Sequence, residues 1–424
     1  MNGKRNNPSP YLWLPSTYFV EGLPFMGATI LSVVIYQQMG LAVSNITFLV
    51  AWLYLPWVLQ PLWQPFMRQL LSQRAWVVAS ELVALLTFCG LAYAIPSLIW
   101  LQGSLLCFGI MALASAAHTS ALHELHAYTL ESRQRPVAIA MRTVCYTLSV
   151  IFCQGVLVMV AGNLQVIYRN SIAYSWSLLC YAVAGFCLLF LLWHFLALPR
   201  GRARRPHRWL VSNVTVHEIQ SGIRILTSSR RAWASLLFLL LFPVSSALML
   251  KVPLLFLLET RHAGGLGLSP QEFGLVQGTV GVFAMAVGST LGNFVISRDG
   301  LRRWLFPMTF AVVLPVSLYI YMSAEAVSGL ALISLCVALY QGFSAFGTTA
   351  YLHYLLYYSG NGSPSCRNWG LSLMSFSQMI AVMLSGSMVG TVGYTGFFTI
   401  VLMLGGVSLL VALLVRFTVL KGSC

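Results

Sequence analysis

Pro199-Arg200-Gly201-Arg202-Ala203-Arg204-Arg205-Pro206 is a basic, breaker-rich interruption in an otherwise apolar chain, and six apolar runs lie on either side of it. Each run is about 20 residues, long enough to cross a hydrocarbon core at about 1.5 Å rise per residue. Before the interruption they fall near 11–36, 44–63, 75–95, 99–129, 137–161 and 172–197. After it they fall near 233–259, 271–296, 301–323, 327–358, 367–390 and 393–416. The pattern predicts an all-α integral membrane protein of twelve transmembrane helices in two pseudo-symmetric six-helix bundles. The first bundle covers 1–198, a basic cytoplasmic linker 199–232, and the second bundle 233–424. Within the linker, 214–227 reads as an amphipathic helix on the inner membrane surface, its basic residues meeting anionic lipid headgroups.

Composition agrees with this reading. Of the 424 residues 58% are apolar or aromatic and 8% charged, against about 25% charged in soluble domains; the mean hydropathy is +0.80. The formal net charge of +15 has to be localised before it is interpreted. With the N terminus in the cytoplasm, Lys4, Arg5, Arg68, Arg74, Arg133, Arg135, the cluster from Arg200 to Arg231, Arg298, Arg302, Arg303, Arg367, Arg416 and Lys421 all fall inside, and only Arg169 and Arg261 outside. This is the positive-inside pattern. The charge reports topology, with both termini cytoplasmic, and nucleic acid is excluded as a partner because no basic face is left to meet it.

The first apolar run holds Glu21, is too long for a signal peptide and lacks a small-residue cleavage site, so it reads as a retained helix. Nine cysteines without a Cys-x-x-Cys pair read as buried thiols. Asn45-Ile46-Thr47 is a lone glycosylation tripeptide with nothing else to support it. There is no phosphate-binding Gly-x-x-x-x-Gly-Lys-Ser/Thr loop and no Gly-x-Ser-x-Gly elbow. The sequence therefore reads as neither an enzyme nor an ATP-driven pump, with no cofactor.

Ionisable side chains inside the spans cost about 2.5 to 3.5 kcal/mol each on insertion scales, so each asks for a reason. Glu21 lies mid-depth in the first span and Lys251 well inside the seventh. Glu259 follows eight residues later, about 12 Å further at helical rise. Arg142 is in the first turns of the fifth span. Glu21 and Lys251 are expected to line a central cavity, binding substrate or carrying a proton; the alternative is a fixed ion pair with a neighbour such as Arg142. Glu81 and Glu124 are expected near cytoplasmic ends, reaching toward water. His118, His123 and His126 in the fourth span could carry a proton; so could His353. His123-Glu124-Leu125-His126 has i,i+3 rather than i,i+4 histidines and no third ligand, so no metal site is expected. Gly274, Gly278, Gly281, Gly288 and Gly292 in the eighth span read as a packing face. The prolines, among them Pro24, Pro56, Pro243, Pro253 and Pro315, read as breaks in helices that bend. Trp52, Trp57, Trp63 and Trp304 read as interfacial residues.

Tyr18-Phe19-x-Glu21-Gly22-Leu23-Pro24, Trp52-Leu53-Tyr54-Leu55-Pro56-Trp57 and Pro61-Leu62-Trp63-x-Pro65 resemble the first two helices of AmpG-type muropeptide permeases, a branch of the major facilitator superfamily. Lys251-x-Pro253, Gly264-Gly265-Leu266-Gly267-Leu268-Ser269 and Ser297-Arg298-Asp299-Gly300-Leu301-Arg302-Arg303-Trp304 resemble its second-half signatures. The resemblance implies alternating access, a bacterial inner membrane and proton-driven import of a sugar-peptide. The candidate substrate and proton pathway is Tyr18, Glu21, His123, Arg142, Lys251 and Glu259, with Arg298, Asp299, Gly300, Arg302 and Arg303 as a cytoplasmic gating loop. The sequence departs from the family by carrying Arg68, His123 and Ser246 where acidic residues are expected; Asp299 is its only aspartate.

The expectation is thus a proton-linked importer of a small polar organic solute, a muropeptide or another anion, with membrane lipids around it and protons as the coupling ion. Glu21, with His123, is the expected proton carrier. Two other functions fit the same fold: export of amphipathic compounds, and a membrane receptor or scaffold that no longer transports.

Overall fold

The computed structural model describes residues 9–131, 133–169, 171–199, 220, 224, 230–359 and 364–418. The expected helix at 214–227, most of the basic cluster, Lys4, Arg5, Lys421, Cys424 and the side chain of Arg68 lie outside the described residues. Among the described residues every regular element is helical. We number them α1 (Pro10–Gln38), α2 (Val43–Val58), α3 (Gln60–Leu70), α4 (Gln73–Ala94), α5 (Trp100–Thr129), α6 (Arg135–Ile167), α7 (Ile172–Ala197), α8 (Ala232–Leu258), α9 (Pro270–Asp299), α10 (Leu301–Ala324), α11 (Leu330–Ser359) and α12 (Pro364–Thr418).

Among the described residues ten helices are long and apolar enough to cross a membrane, and eleven if α2 and α3, bent by 47°, form one span. The last apolar stretch, Arg367–Phe417, has 51 residues, about 76 Å of helix against a hydrocarbon core of about 30 Å. It is interrupted at Gly393, whose φ of 71° is not helical, the first residue of the run expected at 393–416. Twelve crossings are reached when α12 counts as two. Large apolar side chains such as Leu189, Leu192 and Leu196 on α7 point outward, as they do when the solvent is lipid. The chain is an all-α, multi-pass membrane protein.

The described residues gather into two compact units, one from residues up to Ser32 with Trp63 through α7, the other from Val33–Leu62 with α8 to α12. In the first, α4 packs against α5 and α7, and α1 against α6, over a core that includes Trp13, Leu14, Val77, Leu122 and Leu125. In the second, α11 packs against α9 and α10, and α12 against α2 and α8; its core includes Phe238, Phe242, Leu305, Met308, Tyr351 and Tyr354.

The helices are irregular where proline or a wide turn interrupts the ladder. α8 breaks after Leu241 and after Leu248, beside Pro243 and just before Pro253, since proline offers no N–H and crowds the preceding turn. Five residues of α1 (Gly27–Leu31), six of α6 (Ile151–Val156) and eight of α9 (Gly274–Gly281) are π-helical. The glycine face of α9 is a packing face: a Cβ at Gly288 would meet the Gly342 carbonyl of α11, and one at Gly292 would lie 2.8 Å from the Phe346 carbonyl. Backbone cannot yield as a flexible side chain does, so Gly288→Val is expected to lower stability by roughly 1–3 kcal/mol. A thermal melt in detergent checks this, and an unchanged midpoint would show that α9 and α11 part without cost.

Candidate functional site

Glu21 sits in α1 with 1% of its side chain exposed, and both its oxygens are held by Arg142 of α6. Arg142 Nη2 donates to Oε1 at 2.7 Å and Nε to Oε2 at 3.2 Å, the two-pronged geometry that guanidinium offers a carboxylate. Gly22 makes this reach possible. A Cβ there would stand 2.5 Å from the Ser149 hydroxyl, so a larger residue would push α6 away from α1. The two partners differ in exposure: Arg142 keeps 39% of its side chain open while Glu21 is closed off. The fixed-pair alternative raised by the sequence is therefore the geometry observed, with one partner still accessible.

Tyr18, one turn before Glu21 on α1, places its hydroxyl 3.3 Å from His126 Nδ1, the rings edge to face at 5.0 Å. Trp13 packs on the same imidazole at 5.6 Å. His123 is half-buried on α5 and lies within Coulombic reach of Glu21.

Glu81 of α4 does not reach toward water. Its side chain is 3% exposed, and Oε1 lies 2.7 Å from His194 Nδ1 of α7 and 3.2 Å from His118 Nε2 of α5. His194 Nε2 is in turn 2.9 Å from the Ser16 hydroxyl of α1. A buried charge is stable only when paired and hydrogen-bonded, and here the partners come from two other helices, with His194 bonded on to a third. Sequence reasoning missed His194. Its signal was available: it is the single histidine in a run, 172–197, without Asp, Glu, Lys or Arg. Glu124 is half-buried and accepts from Gln73 Nε2 at 3.0 Å. His353 Nε2 is 2.8 Å from Asn293 Oδ1.

The second unit holds Lys251 at the second break in α8, with a non-helical φ of −121° and 2% exposure. Its ammonium lies 5.6 Å from the centroid of the Tyr54 ring, within range of a cation–π attraction. Tyr54 belongs to a cluster with Ala51, Met379 and Val382, and the Ser372 hydroxyl donates to the Val58 carbonyl beside it. Glu259 ends α8 in extended conformation and its carbonyl accepts from Gly267 N at 2.8 Å. That bond, with Leu266 N to Phe256 O and Leu268 N to Leu257 O, both 2.9 Å, folds the Gly264–Ser269 segment back over the helix end. A Ser269–Glu272 capping box then opens α9. At its other end Asp299 accepts from Arg298 Nε and Nη2 at 3.0 Å and from Trp304 Nε1 at 2.9 Å. Gly300, with φ of 81°, turns the chain into α10, where Arg302 and Arg303 follow.

These features, an all-α membrane chain with a buried carboxylate–guanidinium pair and a buried lysine, are arranged on the fold of the major facilitator transporters. No protein-family model matches the chain, and no curated protein sequence matches it. Solved structures do. A nucleoside transporter, NupG, is 15% identical over 95% of this chain and 97% of that one, with a TM-score of 0.67. A D-xylose–proton symporter is 12% identical over 97% and 98%, TM-score 0.68, and a peptide transporter, POT, solved with sulfate, is 13% identical over 97% and 94%, TM-score 0.67. At these identities the likeness is one of fold.

Proposed function

We propose that the chain is a secondary active transporter that imports a polar organic anion, such as a muropeptide or another anionic sugar-peptide, together with protons, by alternating access in a bacterial inner membrane. The observation that carries the reading is the Glu21–Arg142 pair, a buried carboxylate bound in two-pronged fashion by a guanidinium that is itself partly exposed. An anionic substrate competes with Glu21 for Arg142. Once Arg142 turns to the substrate, Glu21 is a lone charge in a low-dielectric site, and binding a proton removes that cost. Proton and anion therefore favour one another's binding, and by linkage each raises the other's affinity by the same factor. That is the thermodynamic condition for symport.

In the second unit Lys251 is a buried cation beside Tyr54, the kind of intramembrane charge that marks a substrate or ion pathway. His123 and Tyr18 stand by the pair as groups through which a proton can pass, and Glu259 with the Arg298–Arg303 loop completes the pathway and its cytoplasmic gate. The placement of both termini in the cytoplasm rests on the Lys and Arg asymmetry.

Substrate-dependent proton flux in proteoliposomes tests the proposal, with muropeptides, small peptides and anionic metabolites as substrates. Inward proton movement that saturates with one of these classes is the expected result. Saturable uptake without proton movement refutes coupling, and binding without uptake refutes transport.

A further inference from the structure

Two apolar grooves flank α11, and the proposed function uses neither. One, of about 490 Å³, runs between α9 and α11; its lining includes Phe283, Val287, Leu291 and Ala338. The other, of about 310 Å³, runs between α10 and α11; its lining includes Phe310, Ala311, Leu314 and Leu318. Leu339 and Phe343 of α11 line both and form the ridge that parts them. We infer that the two grooves together bind one anionic diacyl phospholipid, with an acyl chain in each groove and the phosphate between Arg298 and Arg303.

The spacing of the sequence places an arginine in line with each groove. Arg298 comes seven residues after Leu291 on α9, and Arg303 seven residues before Phe310 on α10. Seven residues make about two turns and return to the same side of a helix. Measured from its arginine, each groove is lined from the seventh to the fifteenth residue, Leu291 back to Phe283 in one and Phe310 on to Leu318 in the other, about 10 to 22 Å at helical rise. From a phosphate in the headgroup layer, that interval covers the chain segment lying in one leaflet, whose hydrocarbon is about 15 Å deep. The path between is apolar too. Phe294 is 59% exposed, with the Arg298 guanidinium 6.0 Å from its ring, and Phe306 packs edge-on against Phe310 at 5.0 Å. Ser317 is the one polar side chain among the described lining residues, and its hydroxyl donates to the Leu314 carbonyl at 2.8 Å.

The grooves lie on opposite sides of the ridge, but their arginines meet at one turn. Gly300 leads α9 directly into α10, and Asp299 before it is bonded to Arg298 and within Coulombic reach of Arg303. Asp299 brings one negative charge against two arginines. Its oxygens already accept from Arg298 Nε, Arg298 Nη2 and Trp304 Nε1, which makes it a poor partner for the ammonium of a zwitterionic headgroup. Arg298 is 62% exposed, and of the five N–H donors on a guanidinium Asp299 takes two, leaving three for phosphate oxygens. The headgroup therefore selects for charge. The grooves select for shape, because a lipid chain is as apolar in the bilayer as in the protein and gains only by fit. Joining two chains through one headgroup makes entry of the second intramolecular.

The test uses the full chain in detergent, followed by native mass spectrometry and thermal melting with added phosphatidylglycerol, phosphatidylethanolamine or lysophosphatidylglycerol, whose single chain fills only one groove. The expected result is one phosphatidylglycerol retained per chain, bound about tenfold or more tightly than its single-chain form and raising the melting midpoint. Arg298→Gln and Arg303→Gln are each expected to lower the preference for phosphatidylglycerol over phosphatidylethanolamine about fivefold. Ala338→Phe and Ala311→Phe, each placing a ring in one groove, are expected to bring the diacyl lipid down to the affinity of the single-chain form. The comparison of one-chain with two-chain lipid needs no substitution and serves where a variant fails to fold. Equal retention of all three lipids overturns the inference, as does a preference for phosphatidylethanolamine or a dimer of the chain that excludes lipid and is lost in Ala338→Phe. That the arginines meet the inner leaflet rests on the cytoplasmic placement proposed above; phosphatidylglycerol retained by a chain that moves no substrate refutes the transport proposal alone.

Discussion

Glu21→Gln is expected to abolish accumulation driven by a proton gradient while leaving exchange of substrate across proteoliposome membranes intact. Glutamine keeps the length of the side chain and an oxygen that Arg142 can still bond. What it removes is the ability to change charge. In the wild type the anion takes Arg142 and the proton takes Glu21, so the two cross together; in the variant the anion crosses on Arg142 with no proton required. Uphill uptake falls to the background of protein-free vesicles, and the substrate KM does not rise, because Arg142 no longer has a carboxylate competing for it. Arg142→Lys is the companion experiment. A lysine is a point charge on a flexible stem and cannot hold both carboxylate oxygens in the fork seen here, so both affinity and coupling weaken. Undiminished uphill uptake by Glu21→Gln would refute Glu21 as the coupling group.

The second large effect is expected at Lys251, where stability and activity should part. Burying a charge is costly, and an apolar side chain of similar volume avoids that desolvation cost. Lys251→Met keeps the length of the stem and its packing against Tyr54, so the melting temperature should change little. Uptake of an anionic substrate should nevertheless fall by on the order of 30-fold or more in kcat/KM, the effect of losing about 2 kcal/mol from a buried charge contact. A lysine retained only for packing would show the opposite split: little change in uptake and a lower melting temperature.

Much of this architecture is legible in one dimension, because hydropathy is a property of consecutive residues. The interruption at 199–206 and the apolar runs around it predict an all-helical membrane protein, and the helices found follow those runs within a few residues. Even the separate runs at 367–390 and 393–416 are marked in the structure, by a non-helical Gly393 that breaks the helix where the second begins. The bend between α2 and α3 is less legible, since Pro56, Pro61 and Pro65 announce a break without giving its place or its 47° angle.

Charge pairing is another matter. Glu81 and His194 are separated by 113 positions, and nothing local to either says that they meet. Depth along a span also misled: proximity to a helix end made Glu81 look able to reach water, whereas the neighbouring helices close over it. Arg142 stands in the sequence as one neighbour with which Glu21 could pair, the alternative to a cavity lining, because both are costly in a bilayer, an argument about energy that needs no coordinates. His118 and His126 were read as a group with His123, but they turn to different partners, Glu81 and Tyr18. Residues eight apart on a helix lie about two turns from one another, far enough to face separate neighbours.

The wide turns in α1, α6 and α9 bear on how such a chain can change over generations. A π turn is a helical turn carrying one residue too many. Deleting a residue within Gly274–Gly281 would let α9 close into an ordinary helix, with the side chains on both sides of the deletion keeping the faces they now present. The same deletion in a regular turn would rotate one side against the other by about 100°. A codon lost at a wide turn is thus absorbed where one lost elsewhere in the span would hand the interior of the bundle a different set of side chains.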